Sequence, residues 1–236
     1  MKHRFRFLGE YSDGLWSLTK EDVLHFLRVL KLADGDIVEV TDGKGRSVSG
    51  VAKVLSKSKI VVVDESHDFD PKAETPITLA LGAIKPADFE ALLPSLVELG
   101  VNNIWVFHQA GVAKHRLNEK LQARCQNIAS SAIKQCKLNW LPEIKFFNSL
   151  TDVVEGSSNY GIKLVLDHTG VPLKAPHAVN KESIIAVVGG EAGISAGELE
   201  ALTKAGFTSV RIAGAVLRAR TAIVSIASII AWNQLV

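Results

Sequence analysis

Val187-Val-Gly-Gly-Glu-Ala-Gly-Ile-Ser195 is the stretch on which the fold turns. The run that leads into it, Ile184-Ile-Ala-Val-Val188, is apolar throughout, as a strand buried on both faces is. It stops at Gly189 and Gly190. A helical pattern starts at Ser195, which predicts an N-cap there, with Glu198 closing a capping box. Strand, glycine turn and helix start are the parts of a site for a polar ligand, because backbone N–H groups come close to whatever lies in the turn. Many α/β proteins turn such a corner with nothing bound, so a second segment has to agree.

That second segment is Val210-Arg-Ile-Ala-Gly-Ala-Val-Leu-Arg-Ala-Arg-Thr-Ala222. It begins as a short strand, passes Gly214 and enters an apolar helix over Leu217 to Trp232. Working back from these corners, strands and helices alternate. Strands are predicted at Ile77 to Leu81, Val101 to Phe107, Leu164 to Leu166, Ile184 to Val188 and Ser209 to Ile212. Helices are predicted at Ala87 to Leu99, Glu119 to Lys137, Ala196 to Ala205 and Leu217 to Trp232. Alternation of this kind makes a mostly parallel sheet covered by helices, an α/β domain over 77–236.

The first seventy residues read differently. Arg4 to Leu8, Ile37 to Val40, Val48 to Val54 and Lys59 to Val63 are short strands. Asp42-Gly43 is a hairpin turn, and Thr19 caps a helix running to Leu32. Such strands with tight turns predict a small barrel over 1–70. His67 to Pro76 is acidic and carries two prolines, as a linker does.

Composition narrows the class. With 47% hydrophobic and 22% charged residues in 236, the chain is globular. A net charge of +2 permits a local basic face without demanding a nucleic-acid partner. Cys125 and Cys136 stand eleven positions apart on one predicted helix, too far for a disulfide, whose Cα atoms approach within roughly 7 Å. No secretory signal is visible, and the apolar run from Thr221 to Trp232 is too short to cross a bilayer, so a reducing, cytoplasmic setting without membrane attachment is expected. No Cys/His cluster has metal spacing, and no glycine loop ends in Lys-Ser/Thr.

The two corners and their spacing resemble the C-terminal half of SPOUT-class RNA methyltransferases, most of all the RsmE family, which methylates a uridine of small-subunit (16S) ribosomal RNA. The likeness runs nearly end to end. It includes His25-Phe-Leu-Arg-Val-Leu-Lys-Leu32, Leu96-Val-Glu-Leu-Gly-Val101, Ala132-Ile-Lys-Gln-Cys136 with Pro142-Glu-Ile144, and Ala205-Gly-Phe207. The resemblance implies a small N-terminal PUA-like barrel that binds RNA and a C-terminal α/β domain whose chain threads into a trefoil knot. It implies a homodimer with the last helix near the interface, and methylation of N3 of a uridine with S-adenosylmethionine as methyl donor. Three loops would wall the cofactor, around Leu166-Asp-His168, Gly189 to Gly193 and Ile212 to Leu217. The residues assigned to it are Leu166, Gly189, Gly190, Gly193, Ile212, Gly214, Val216, Leu217 and Thr221.

Methyl transfer to the imide nitrogen needs its anion stabilised, for which a guanidinium in a poorly hydrated pocket is suited. Arg218 is the candidate, the alternative being a surface arginine on a first helical turn. Glu191 is the candidate carboxylate, to hold an arginine or accept from backbone donors, or else a solvated loop residue. RNA contact falls to Arg4, Arg6, His25, Arg28, Lys31, Lys44, Arg46, Lys85, Lys114 and Gln135.

The chain departs from the family at identifiable positions. The first corner usually reads Gly-Pro-Glu-Gly-Gly and is here Gly189-Gly-Glu-Ala-Gly193. Ala110, Leu138 and Ala215 stand where arginines are usual, and Arg220 where a glutamate is. Alanine for arginine removes a forked donor suited to phosphate. These changes keep open a relative that binds RNA without methyl transfer, or that modifies another RNA site. A nicotinamide enzyme is disfavoured, because neither corner has the Gly-x-Gly-x-x-Gly spacing.

Overall fold

A computed structural model describes residues 4–110, 117–173 and 182–235, with side chains at all of these except 64, 65 and 233–235. It divides into two compact units, Met1–Lys72 with Ser130–Leu141, and Ala73–Ala129 with Pro142–Val236. The stretch Ser130–Leu141 thus groups with the N-terminal unit, which a division of the chain at the linker left out.

The first unit is a closed five-stranded barrel. Its strands are β1 (Arg6–Ser12), β2 (Leu15–Leu18), β3 (Ile37–Thr41), β4 (Arg46–Ser56) and β5 (Lys59–Phe69), in the order β1-β2-β5-β4-β3. Closure pairs β1 with β3 in parallel, so no long strand edge stays unpaired. Alternate residues Phe7, Trp16, Val38, Val40, Val48, Ala52, Ile60 and Val62 point inward and form its core. Strand β2 has no counterpart in the sequence reading, since Leu15-Trp-Ser-Leu18 is only four residues long.

The predicted helix from Thr19 is present but changes character midway. Thr19 caps α1 (Lys20–Leu24) by accepting from the Asp22 N–H. From His25 to Val29 the turns widen to π-helix, with Leu30 N–H reaching back to His25 C=O, and Lys31 at φ 54° ends the element. Phe26 is thereby fully buried in the barrel. The buried Asp22 carboxylate accepts from Leu8 N–H at 2.6 Å and from Lys134 at 2.6 Å, so its charge is both paired and hydrogen-bonded.

The second unit carries a six-stranded, all-parallel sheet. The strands are β6 (Ile77–Gly82), β7 (Asn103–Phe107), β8 (Glu143–Phe147), β9 (Ile162–Pro172), β10 (Ile184–Val188) and β11 (Thr208–Arg211), in the order β11-β9-β10-β6-β7-β8. Helices α2 (Pro86–Glu98), α3 (Glu119–Cys136), α4 (Leu150–Gly156), α5 (Ala196–Lys204) and α6 (Ala219–Leu235) complete the chain. β6 and β10, at the centre, are buried at every position, as strands covered on both faces must be. On one face Ala80, Trp105, Ile185 and Val187 pack with Leu150 and Val153 of α4 and Leu202 of α5. On the other, α6 lies against β6, β10 and α2.

Edge strand β8 and the short helix α4 went unpredicted. Glu143-Ile-Lys-Phe-Phe147 mixes exposed and buried positions, and α4 has only seven residues, capped by a box of Ser149 with Asp152. Both cysteines are free. Burial pushes the Cys125 thiol up to about 11, with Glu90 nearby adding to the rise. Among the described residues no helix is long and apolar enough to cross a membrane.

Candidate functional site: a cavity at the C-terminal ends of three strands

Parallel strands place their C-terminal ends, and the loops that leave them, along one edge of the sheet. On β10 the chain leaves the sheet at Val188 and turns through Gly189 to Gly193. Gly190 and Gly193 form an isolated bridge, and Gly193 sits at φ 73°, where residues with a side chain are strained. A Cβ on Gly189 would lie 2.4 Å from the Gly193 carbonyl carbon, so this turn closes only around glycine. Ser195 then caps α5, and the Glu198 carboxylate returns to the Ser195 N–H at 2.9 Å, the predicted capping box.

On β9 the ladder itself breaks. Ser209 of β11 pairs with Val165, yet the next residue, Val210, pairs with Val171. Residues 166–170 therefore leave the sheet as an excursion in mid-strand. Asp167 shapes it by accepting from both the N–H and the hydroxyl of Thr169. These bonds, led by the hydroxyl, hold the Asp167 carboxyl below its ordinary range. A Cβ on Gly170 would fall 2.6 Å from Val210 N, so the strand rejoins β11 only through a residue without one.

Between the excursion, the glycine corner and the loop after β11 lies a cavity of about 340 Å³. Of the residues that the resemblance assigns to a cofactor, Leu166, Gly189, Gly190, Gly193, Ile212, Val216 and Leu217 line it. Arg218 and Glu191 line it too. Gly214 and Thr221 are not on its wall: Thr221 faces solvent on the first turn of α6, while its neighbour Ala222 is buried and faces the cavity. The wall also includes Asp167, His168 and Arg211, so it mixes an apolar floor with four charged side chains and one histidine.

The wall depends on a residue the sequence reading passed over. Gln109, just beyond β7 and 7% exposed, reaches into the glycine corner. Its amide oxygen accepts from Gly190 N–H at 2.8 Å, and its amide nitrogen donates to Gly193 C=O at 2.7 Å and to Glu198 Oε2 at 3.3 Å. One side chain thus ties both ends of the turn to the cap of α5. The signal available was a polar residue at the C-terminal end of a buried parallel strand, beside the substituted Ala110.

The charged residues around the rim form two pairs. Lys85, at the start of α2, lies 3.9 Å from Glu191, and Asp88 accepts from Arg220 at 3.1 Å. Arg220 is therefore turned toward α2 and is not on the cavity wall, so the glutamate-to-arginine departure does not reverse a charge inside the site. Arg218 is exposed and has no ion-pair partner among the described residues.

The RNA-contact candidates on the barrel fall into three groups. Arg28, Lys31, Lys44, Arg46 and Gln135 are exposed; so is His25, edge-on to Phe7, and Arg4, which donates to Ser49. Arg6 is different: it is half-buried, bonded to Asn139, and desolvation lowers its pKa. It acts as a structural tie inside the barrel unit, which corrects its assignment to the RNA face. Lys114 lies outside the described residues.

Two family models match successive parts of the chain. A family model described as RNA methyltransferase domain matches residues 71–231, and one described as RNA methyltransferase PUA domain matches residues 18–65. The chain is 26% identical to the ribosomal RNA small subunit methyltransferase E of Mesomycoplasma hyopneumoniae, covering 93% of this chain and 95% of the relative. It is 25% identical to methyltransferase E 1 of Borreliella burgdorferi, covering 97% and 96%. The crystal structure of the methyltransferase E of Neisseria gonorrhoeae bound to S-adenosyl methionine superposes with a TM-score of 0.83 at 25% identity, covering 96% of each chain.

Proposed function

Since this chain belongs to the RNA methyltransferase family, we propose that it methylates N3 of a uridine in small-subunit ribosomal RNA, taking the methyl group from S-adenosylmethionine. The observation that carries the reading is the cavity at the ends of β9, β10 and β11, closed on one side by a corner only glycine can make. Its residues fit the cofactor. Leu166, Ile194, Ile212 and Leu217 offer apolar contact for an adenine, the backbone of the glycine corner offers polar groups, and Asp167 offers an ionised acceptor. When bound, that group supplies an electrophilic methyl.

This chain's own residues do the rest. Arg218, on the wall and free of carboxylate partners among the described residues, stabilises the negative charge left on the uridine imide as its N3 proton passes to water. Glu191 sits at the mouth, paired with Lys85, and positions that lysine toward incoming phosphate. Arg4, His25, Arg28, Lys31, Lys44, Arg46 and Gln135 give the barrel its contacts to RNA.

The threading is read as a trefoil knot. Helix α5 packs on one face of the sheet and α6 on the other, so the chain changes face between Ala205 and Ala219, beside the excursion of β9. Passing through that excursion would make the knot. The chain is read as a homodimer, in keeping with Val216 and Trp232, which are 77% and 57% exposed at the two ends of the α6 segment.

The test is transfer of a labelled methyl group from S-adenosylmethionine to small subunits lacking the modification, followed by nuclease digestion and mass spectrometry. Label in 3-methyluridine is the expected result. Saturable binding of S-adenosylmethionine with no label in RNA would replace this reading with that of a relative that binds without transfer, the reading that Ala215 favours.

A further inference from the structure

The barrel unit holds a second groove, of about 510 Å³, lined by Tyr11, Trp16, Arg46, Ser47, His67, Asp68 and Phe69. None of the aromatic residues among them served the reading of the cavity, and only Arg46 entered the RNA-contact set. From these residues we infer a stacking site for one unpaired base of the RNA. The inference rests on the RNA-methyltransferase reading and adds to it a place where the barrel grips bases as well as phosphates.

Four rings meet here. Tyr11 lies 5.4 Å from Trp16 and 6.3 Å from His67, centroid to centroid, with the second pair nearly perpendicular. Tyr11 is 42% exposed and Phe69 61% exposed, so two large rings face solvent at the rim of one groove. Exposed aromatic area gathered in a concave surface marks a binding site more often than a packing fault. Every base has a π-face, which is why such platforms suit single-stranded nucleic acid.

Charge points to the same occupant. The Arg46 guanidinium lies 5.9 Å from the Tyr11 ring centroid, over its face. It has no ion-pair partner among the described residues. A planar cation beside a ring can stack on a base or take the adjoining phosphate in a fork. Asp68, whose Oδ1 accepts from the Phe69 N–H, is a further acceptor for the N–H groups of a base edge.

The floor supplies an independent observation. Trp16 is 1% exposed, and its indole N–H finds no acceptor among the described residues. A buried donor without a partner is costly, so native proteins seldom leave one.

The experiment compares two fluorescein-labelled probes on the full chain, a single-stranded oligouridylate and an abasic strand of the same length. Wild type should bind the oligouridylate roughly tenfold more tightly than the abasic strand. Phe69→Ala and Tyr11→Ala, both at exposed positions, should lose that preference while binding the abasic strand as wild type does. Arg46→Ala should weaken both probes. Equal affinity of wild type for the two probes, or an undiminished preference in both ring variants, overturns the stacking site and leaves RNA binding to phosphate contacts. No binding of either probe by wild type overturns it together with the RNA reading. Base-dependent binding without methyl transfer to small subunits would uphold the groove while the transfer reading fell.

Discussion

The two glycine corners that form the cavity are built in opposite ways. The corner after β10 is held by Gln109, by Glu198 and by its own bridge, and Gly189 and Gly190 are buried. In the loop after β11, Gly214, Ala215 and Val216 are all exposed. The backbone bonds at its ends are Leu173 N–H to Arg211 C=O and Ala222 N–H to Arg218 C=O, and the stretch between them rests on neither. One wall is rigid before any ligand arrives. Among the described residues the other is anchored by backbone bonds at its ends alone, and so is the wall that can adapt.

The contrast also explains a departure from the family. The usual proline at the second position of the first corner has no N–H, whereas Gly190 has one and buries it. A buried N–H needs an acceptor, and Gln109 Oε1 is that acceptor. The substitution at Gly190 and the side chain at Gln109 are two halves of one arrangement.

If the open wall carries chemistry and the closed wall carries shape, their variants should separate. Arg218→Ala should lower methyl transfer by about a hundredfold or more, the scale of removing one donor to a developing anion. Stability and cofactor affinity should stay close to wild type, because Arg218 holds nothing else together among the described residues. Single-turnover transfer and calorimetric titration measure the two sides. A variant that lost cofactor affinity instead would place Arg218 in the binding wall and break the contrast.

Gln109→Leu tests the closed wall. It leaves Gly190 N–H, Gly193 C=O and Glu198 short of a partner each, and an unpaired buried group costs about 1–3 kcal/mol. Denaturant unfolding should show a loss of at least that size, with weaker cofactor binding alongside. Gln109→Glu should not rescue it, since a carboxylate cannot donate to Gly193 C=O and would face Glu198. If Gln109→Leu were neutral, the rigidity of the first corner would have to come from the glycine bridge alone.

Much of this arrangement was legible in the sequence, and the physical reason is locality. The strand over Ile184 to Val188, the glycine stop and the Ser195–Glu198 box involve neighbours within a few residues, so apolar runs and capping spacing reveal them. Gln109 was not legible, because its partners lie 81 to 89 positions away and only the sheet brings them together. The excursion of β9 was hidden for the same cause: it is defined by a register against β11, not by its own composition. Thr221 was placed on the wall by the family pattern, yet one step round the helix, about 100°, exchanges it for Ala222. β8 escaped because an edge strand covered on one side lacks the unbroken apolar run of β6 or β10.

A smaller effect is expected at the rim, where the pair Arg220–Asp88 joins the start of α6 to α2. Arg220 is exposed and Asp88 half-buried at the surface, so Arg220→Ala should cost only about 0.2–1 kcal/mol, and less at high salt. Restoring the family's glutamate at this position, Arg220→Glu, places like charges together and should cost more than alanine does. Thermal unfolding at low and high salt distinguishes screening from packing. Should Arg220→Ala abolish transfer at unchanged stability, Arg220 would belong to the chemistry of the open wall after all.

The smallest expected effect belongs to Asp167, on the third wall, and its sign follows from the bonds from Thr169. Those bonds favour the ionised carboxyl, so its pKa in the folded chain lies below the ordinary 3.8. A depressed carboxyl contributes stability that is complete above the unfolded value and is lost as pH falls through the folded one. Asp167→Asn keeps an oxygen to accept from Thr169 but has no charge to lose. Wild type should therefore be slightly the more stable near neutral pH, and the two should converge only as pH drops below about 4. Asp167 itself should add no pH dependence to cofactor affinity across mildly acidic pH, because its lowered carboxyl stays ionised there. A gap in melting temperature that closed well above pH 4 would mean that the excursion is not held by the ionised carboxylate, and that the shape of this wall comes instead from the close approach of Gly170 to Val210.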